Sequence, residues 1–172
     1  WVTKNNGDNW DYIKTGLPSG SISDVVVSNI DPERVFVTFS SYNENEKVYE
    51  TVDGGNTWTN ISGSNLPNLP VNCIVFQSYS NEDLYIGTDI GVFHKDKTMN
   101  EWQLFNVGLP HVSVRELEIQ YAIGKIRAAT YGRGVWESDL NSFIASTESY
   151  SPLPIKIFPN PTTSILNISS QY

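Results

Sequence analysis

The sequence predicts an all-β protein built from a repeated four-strand unit, and three observations predict it. Apolar residues alternate or cluster in runs of four to six rich in Val, Ile, Phe and Tyr, and helical periodicity is nearly absent. Gly, Pro, Asn, Asp and Ser separate those runs at short intervals. A period in the forties runs through the chain: Trp58 and Trp102 lie 44 residues apart, and Gly91 of "GVF" and Gly134 of "GVW" lie 43 apart. Short strands repeating at that period are the mark of propeller blades. The expected architecture is a partial β-propeller of about three four-stranded blades with a leading strand, followed by the start of a small β-sandwich.

The elements follow in order. Residues 3–10, "TKNNGDNW", read as a turn, and a leading strand is expected over about 10–14. "GLPSG" then opens the first full blade, whose Leu-Pro start recurs in "NLPVN" and "GLPHV". Inner strands are expected near 22–27, 71–76 and 112–119, second strands near 34–39, 83–87 and 125–130, and third strands near 47–51, 91–95 and 134–138. Fourth strands follow the tryptophans, near 58–61 and 102–106. No such strand follows Leu140, and in a closed propeller an N-terminal strand commonly fills that place. Rings close with ~4 to 8 blades, so three blades beginning at Trp1 rather than Met are expected to be the C-terminal part of a larger propeller.

Composition narrows the function. The 172 residues carry a formal charge of −8 with 11 Lys and Arg, which argues against nucleic acid or an anionic membrane as partner, because both require a basic face. A neutral, polar or cationic ligand fits the whole-chain charge better. No apolar run approaches the ~20 residues of a membrane span. Cys73 is the sole cysteine, so neither an intrachain disulfide nor a cysteine zinc site is available, and its setting in "VNCIVF" reads as buried and inert. No cofactor is expected.

The turn between third and fourth strands carries the most distinctive motif, "TVDGGNTW" at 51–58. Asp-Gly-Gly supplies positive-φ positions, and the Asp and Thr side chains can bond nearby backbone groups. Thr3, Asn5, Gly7 and Trp10 match Thr51, Asp53, Gly55 and Trp58 at identical spacing. Asn in place of Asp suits a turn and would not serve as a catalytic acid. One carboxylate is also too few for a calcium loop, which gathers several oxygen ligands, so no metal site is expected. The stretch resembles the Asp-box, Ser/Thr-x-Asp-x-Gly-x-Thr-Trp, of BNR repeat propellers, a superfamily that includes sialidases, xyloglucanase-type hydrolases, sortilin-like receptors and photosystem assembly factors. Residues 51–58, Thr57 included, fit fully; 3–10 fit apart from Asn5 and Asn9; "KDKTMNEW" at 95–102 keeps little beyond the Trp. The resemblance covers about residues 1–140 and implies a folding role for the box, not an activity.

Strand order puts the box on one face and the ligand-binding loops on the other. The candidate ligand face carries the loops between blades and the second-to-third connections, with Tyr42, Glu44, Glu46, Asp89, His111, Tyr131 and Arg133 as the chemically capable groups. Each also has a simpler reading: Glu44 and Glu46 as solvated loop charges, His111 as a surface imidazole, and the "YGRG" turn as backbone and packing. Asp24 reads as a maker of strand-end hydrogen bonds. Catalytic residues are not identifiable. Glycoside hydrolysis needs two carboxylates at a defined separation, or a tyrosine nucleophile in sialidases. A sialidase would further require an arginine cluster for the substrate carboxylate, and no arginine triad stands out among Arg34, Arg115, Arg127 and Arg133.

Residues 141–153 read as a Ser/Thr-rich linker. Residues 154–172 then read as two apolar strands around a Pro-Asn-Pro turn, since Pro159 and Pro161 break a continuous strand. Ile155 to Ile157, Phe158-Pro159-Asn160-Pro161-Thr162 and Ile165-Leu166-Asn167-Ile168 resemble the start of the type A C-terminal sorting domain carried by cargo of the type IX secretion system of Bacteroidetes. That resemblance implies a parent protein that is secreted or displayed on the outer cell surface, with the secretion machinery as a partner of the complete domain. The leading expectation is a binding or scaffold propeller for an extracellular glycan or protein, and the alternative is a glycan hydrolase of the xyloglucanase type.

Overall fold

The structure, a computed structural model, describes residues 1–141 and the backbone of two short strands, at 156–158 and 167–169. The first blade is a four-stranded antiparallel sheet of β1 (Ile22–Val27), β2 (Val35–Phe39), β3 (Val48–Thr51) and β4 (Thr59–Asn60). The second repeats it with β5 (Val71–Phe76), β6 (Leu84–Thr88), β7 (Gly91–Lys95) and β8 (Gln103–Leu104). The third has three strands, β9 (Val114–Gln120), β10 (Lys125–Thr130) and β11 (Val135–Asp139). Inner strands β1, β5 and β9 lie side by side, as they do around a propeller axis.

Two elements depart from the sequence reading. Residues 12–14 form no strand, and the leading segment makes only the isolated bridge Val2 to Asp11. In the later blades the fourth strand pairs with a third strand; among the described residues only Trp1 and Val2 precede the first turn, so that ladder has no partner strand there. The second departure is a single 3-10 turn, Tyr121–Ile123, closed by Gly124 at φ 64° between β9 and β10. The Tyr121 hydroxyl accepts from the Ser78 amide at 3.0 Å, which fastens this turn to the second blade.

Blade faces pack on one another through apolar side chains that the strand pleat sorts to alternate sides. Phe36 and Val48 of the first blade meet Ile74, Phe76, Ile86, Phe93 and Trp102 of the second. Cys73, Tyr85 and Val92, on the opposite side of the second blade, meet Leu117, Ile126 and Ala128 of the third. Gly87 leaves no room for a side chain, since a Cβ there would stand 2.5 Å from the Cys73 sulfur of its own sheet and 2.8 Å from Val114 of the third blade. Burial raises the Cys73 thiol to about 12.

Each inner strand carries a one-residue bulge near its start, at Ser23, Asn72 and Arg115. A bulge re-aims its side chain, and the first two use this to stitch blades together. Ser23 Oγ donates to the Val71 carbonyl at 2.6 Å, and Asn72 Nδ2 donates to the equivalent Val114 carbonyl at 3.0 Å. Asp24 joins the same seam, accepting from the amides of Val25 at 2.8 Å and Ile74 at 2.9 Å.

Strand β12 (Lys156–Phe158) pairs antiparallel with β13 (Asn167–Ser169). The expected linker beyond Asn141 and the rest of the expected sorting-domain start lie outside the described residues.

Candidate functional site

The box residues build a closed turn. Thr51 Oγ1 accepts from the Gly55 amide at 2.9 Å and donates to Asp53 Oδ1 at 2.7 Å. Asp53 in turn accepts from the Thr57 amide and hydroxyl at 2.9 and 2.7 Å. Residues 3–9 repeat this with an amide: Thr3 Oγ1 accepts from Gly7 N at 2.8 Å, and Asn5 Oδ1 accepts from Thr3 Oγ1 at 3.0 Å and Asn9 N at 2.9 Å. Gly55, at φ 92°, has no room for a side chain because a Cβ would sit 2.7 Å from Ile13. Trp58 Nε1 donates to the Ile13 carbonyl at 2.7 Å and Trp102 Nε1 to the Ile61 carbonyl at 2.9 Å. The tryptophans therefore tie each turn to the preceding repeat, while Trp10 is mostly exposed.

Three donated hydrogen bonds occupy the Asp53 carboxylate, led by the two from Thr57, and lower its pKa from 3.8 to about 2. Its contribution to stability is therefore complete above the ordinary carboxylate pKa and is lost as pH falls through about 2. An Asp53→Asn variant keeps the Asn5-type turn. It is expected to flatten the loss of stability between pH 4 and 2 relative to the parent protein, measured as urea midpoints at pH 5 and pH 2.5. Equal acid sensitivity in the two proteins would remove Asp53 from this role.

The two faces are defined by bonds as well as by strand order. The Gly54 amide donates to the Glu33 carbonyl at 2.8 Å, joining the box turn to the β1–β2 loop. On the opposite face the buried Lys47 ammonium donates to the Ser41 carbonyl at 2.6 Å and to Asn68 Oδ1 at 3.2 Å. This ties the β2–β3 loop to the β4–β5 loop.

The structure brings Asp89 and Tyr131 together with three residues that sequence reading had not grouped with them. Asp89 Oδ1 accepts from Asn72 Nδ2 at 3.0 Å and Ser113 Oγ at 2.8 Å, and the Tyr131 amide donates to the Ser113 carbonyl at 2.8 Å. The Arg115 guanidinium carbon lies 5.6 Å from the centre of the Tyr131 ring. Burial alone would raise the Asp89 pKa, but the bonds from Asn72 and Ser113 and the charge of Arg115 hold it below its ordinary value. Arg133 occupies the β10–β11 turn two residues from Tyr131, its carbonyl accepting from Trp136 Nε1 at 3.0 Å. His111 is exposed, two residues before Ser113. Tyr42 and Glu44 form a separate exposed group on the β2–β3 loop of the first blade, beside an Asn43–Glu46 hydrogen bond of 3.1 Å.

Two further polar clusters escaped the sequence reading. Arg34 bridges Glu50 at 2.6 Å and Glu82 of the next blade at 2.8 Å. The buried His94 Nε2 lies 2.5 Å from Asp83 Oδ1. These pairs hold equivalent positions on neighbouring strands, and only the pairing register reveals them. Among the described residues no group of three His, Cys, Asp or Glu is placed to hold a metal ion, and no helix is long and apolar enough to cross a membrane.

No protein-family model and no curated protein matches the chain. Solved structures do. The chain is similar to an ancestral GH74 enzyme, at TM-score 0.55 and 21% identity over 70% of this chain and 15% of the other. It is similar to the Niastella koreensis GH74 enzyme, at TM-score 0.52 and 13% identity over 66% and 19%, respectively. It also resembles the GH74 xyloglucanase from Xanthomonas campestris, at TM-score 0.51 and 11% identity over 66% and 20%. The chain thus spans a fifth or less of the length of these enzymes, and the likeness is one of fold: an all-β arrangement of propeller blades.

Proposed function

We propose that the chain is part of an extracellular propeller protein that binds a glycan or an extracellular protein through the face bearing Asp89 and Tyr131. The observation that carries this reading is the division of labour between the faces. The box carboxylate spends its acceptors on its own turn, whereas the opposite face presents exposed Tyr42, His111, Tyr131 and Arg133 on loops braced by Lys47 and Asp89. Likeness of fold to GH74 enzymes supports a glycan as the ligand.

Hydrolysis of the xyloglucanase type is the second reading, favoured by the same likeness. It requires two carboxylates separated by ~5 to 9.5 Å across a cleft. Asp89 is engaged by Asn72 and Ser113, and Glu44 and Glu46 lie on one loop of another blade, so the catalytic pair would have to come from outside these residues. A polysaccharide panel scored for both binding and release of reducing ends separates the two. Binding without release is the expected outcome, and release by the 172-residue chain itself would establish hydrolysis in its place.

We also propose export by the type IX secretion system, on the resemblance of residues 154–172 to the start of a type A sorting domain. Deleting the complete domain from the parent protein is expected to retain it inside a secretion-competent cell. Unchanged export would defeat this reading.

A further inference from the structure

The whole-chain charge is −8, yet one corner of the loop face runs against it. Two of the four arginines, Arg115 and Arg133, and one of the two histidines, His111, lie within two residues of the hydrogen bond between Ser113 and Tyr131. Among the described residues, ion pairs within 4 Å engage Arg34 and Arg127 but neither of these two arginines. The nearby carboxylate, Asp89, is held by Asn72 and Ser113 instead. Glu116, which follows Arg115 at the bulge, and Glu118 are exposed as well. Repulsion from the rest of the acidic surface is screened over ~10 Å at 0.1 M salt, so the groups at the corner decide what binds at contact: the donors of Arg115 and Arg133, beside an Asp89 carboxylate already bonded by its neighbours.

The bulges explain why Arg115 is aimed here. The equivalent Ser23 and Asn72 spend their side chains on the neighbouring inner strand, whereas Arg115 turns its guanidinium onto the ring of Tyr131. That ring is 74% exposed, so the face opposite Arg115 offers a flat apolar surface next to the guanidinium's N–H donors. A guanidinium fork matches a carboxylate through two parallel charge-assisted hydrogen bonds, and an aromatic face suits the C–H side of a pyranose ring. A ligand that satisfies both carries its carboxylate on a sugar.

We propose that Arg115, Tyr131 and Arg133, with His111 at the edge, form a binding site for a uronic acid residue of an acidic glycan. This rests on the reading of the loop face as glycan-binding and narrows it to a class that the overall charge of the chain would have argued against. The rigid part of the site is the Asn72–Asp89–Ser113 network, which spans two blades and fixes the strand that carries Arg115.

The test is calorimetric titration of the 172-residue chain with trigalacturonate, cellotriose and triglutamate at 50 mM salt. Trigalacturonate is expected to bind at least about tenfold more tightly than either of the others, with Arg115→Ala and Arg133→Ala each weakening it about tenfold, the scale of a lost charged hydrogen bond. Arg115→Lys should retain part of the affinity, and Asp8→Asn, an exposed residue on the first box turn, all of it. Urea midpoints of every variant should match the parent, because these side chains are exposed; a lowered midpoint for Arg115→Ala leaves Arg133→Ala and Tyr131→Ala to decide. Equal binding of cellotriose would overturn the acidic site while leaving a glycan-binding face. Equal binding of triglutamate would overturn the sugar and indicate a peptide partner. Binding of none of the three would overturn this site, while the polysaccharide panel would still decide the broader reading.

Discussion

Replacing Trp102 by alanine is expected to cost about 3–5 kcal/mol, the range for removing a buried aromatic from a close-packed core. Trp102 is 1% exposed and packs at the interface of the first two blades with Phe36, Phe76, Ile86 and Phe93. Its indole also donates to the Ile61 carbonyl, and its backbone amide donates to Asn65 Oδ1 at 3.2 Å. The substitution therefore opens a cavity and orphans a carbonyl at one stroke. Trp102→Phe keeps most of the ring and loses the N–H, which confines the loss to about 1–2 kcal/mol. Trp58→Ala should cost less than Trp102→Ala, since Trp58 is only partly buried against Val37, Phe39 and Tyr49. Urea unfolding of the three variants checks the order, and a Trp102→Ala loss below that of Trp58→Ala would contradict the assignment of the blade seam as a main source of stability.

Removing one partner of the His94–Asp83 pair is the second large effect. The two side chains are 4% and 0% exposed and 2.5 Å apart. They lie beside Tyr85, whose ring centre is 4.9 Å from that of His94. Breaking a buried pair costs about 3–5 kcal/mol because the remaining polar group stays buried without its partner, whereas replacing both members by apolar residues is often close to neutral. His94→Leu alone is thus expected to destabilise more than the double variant His94→Leu with Asp83→Leu. Asp83 Oδ2 also accepts from the Asn81 amide at 3.2 Å, so the double variant gives back part of its gain. A double-mutant cycle by urea denaturation measures the coupling directly. Additive losses would mean that the imidazole and carboxylate do not act as a pair.

The blades were legible because their signal is local. Alternation places Val35, Val37 and Phe39 on one side of β2 and Phe36 on the other, and a two-residue period needs no knowledge of neighbours. The box turn supplies its own hydrogen-bond partners within seven residues, from Thr51 to Thr57, so its chemistry is written in one stretch of chain. The leading strand failed for the same reason in reverse. Residues 10–14 have a strand's place in the repeat, but a strand exists only with a paired neighbour, and Val2 supplies a single bridge.

The candidate site was half legible. Asp89, His111, Tyr131 and Arg133 stood out as reactive types in loops, and strand order assigned them a face. Arg115 did not stand out, because a bulge is a property of the pairing of two strands and leaves no mark in either sequence alone. Asn72 in β5 and Ser113 just before β9 are ordinary polar residues until strand pairing within the second blade and packing of the third bring them to Asp89. Lys47, not singled out by sequence, is buried, its ammonium fastening two loops.

By itself, then, the sequence determined the strand order, the repeat and the turn chemistry, all of which depend on spacings within a few tens of residues. Only the tertiary structure decided which side chains meet across blades: Asp24 with the Ile74 amide, Arg34 with Glu82, and Asp89 with Ser113. Those contacts join residues 24 to 50 apart in the chain, and hydrogen bonds and ion pairs demand partners placed to within about half an ångström. Pleat and period fix the direction of a side chain, but strand register, bulge position and blade packing together fix where it ends.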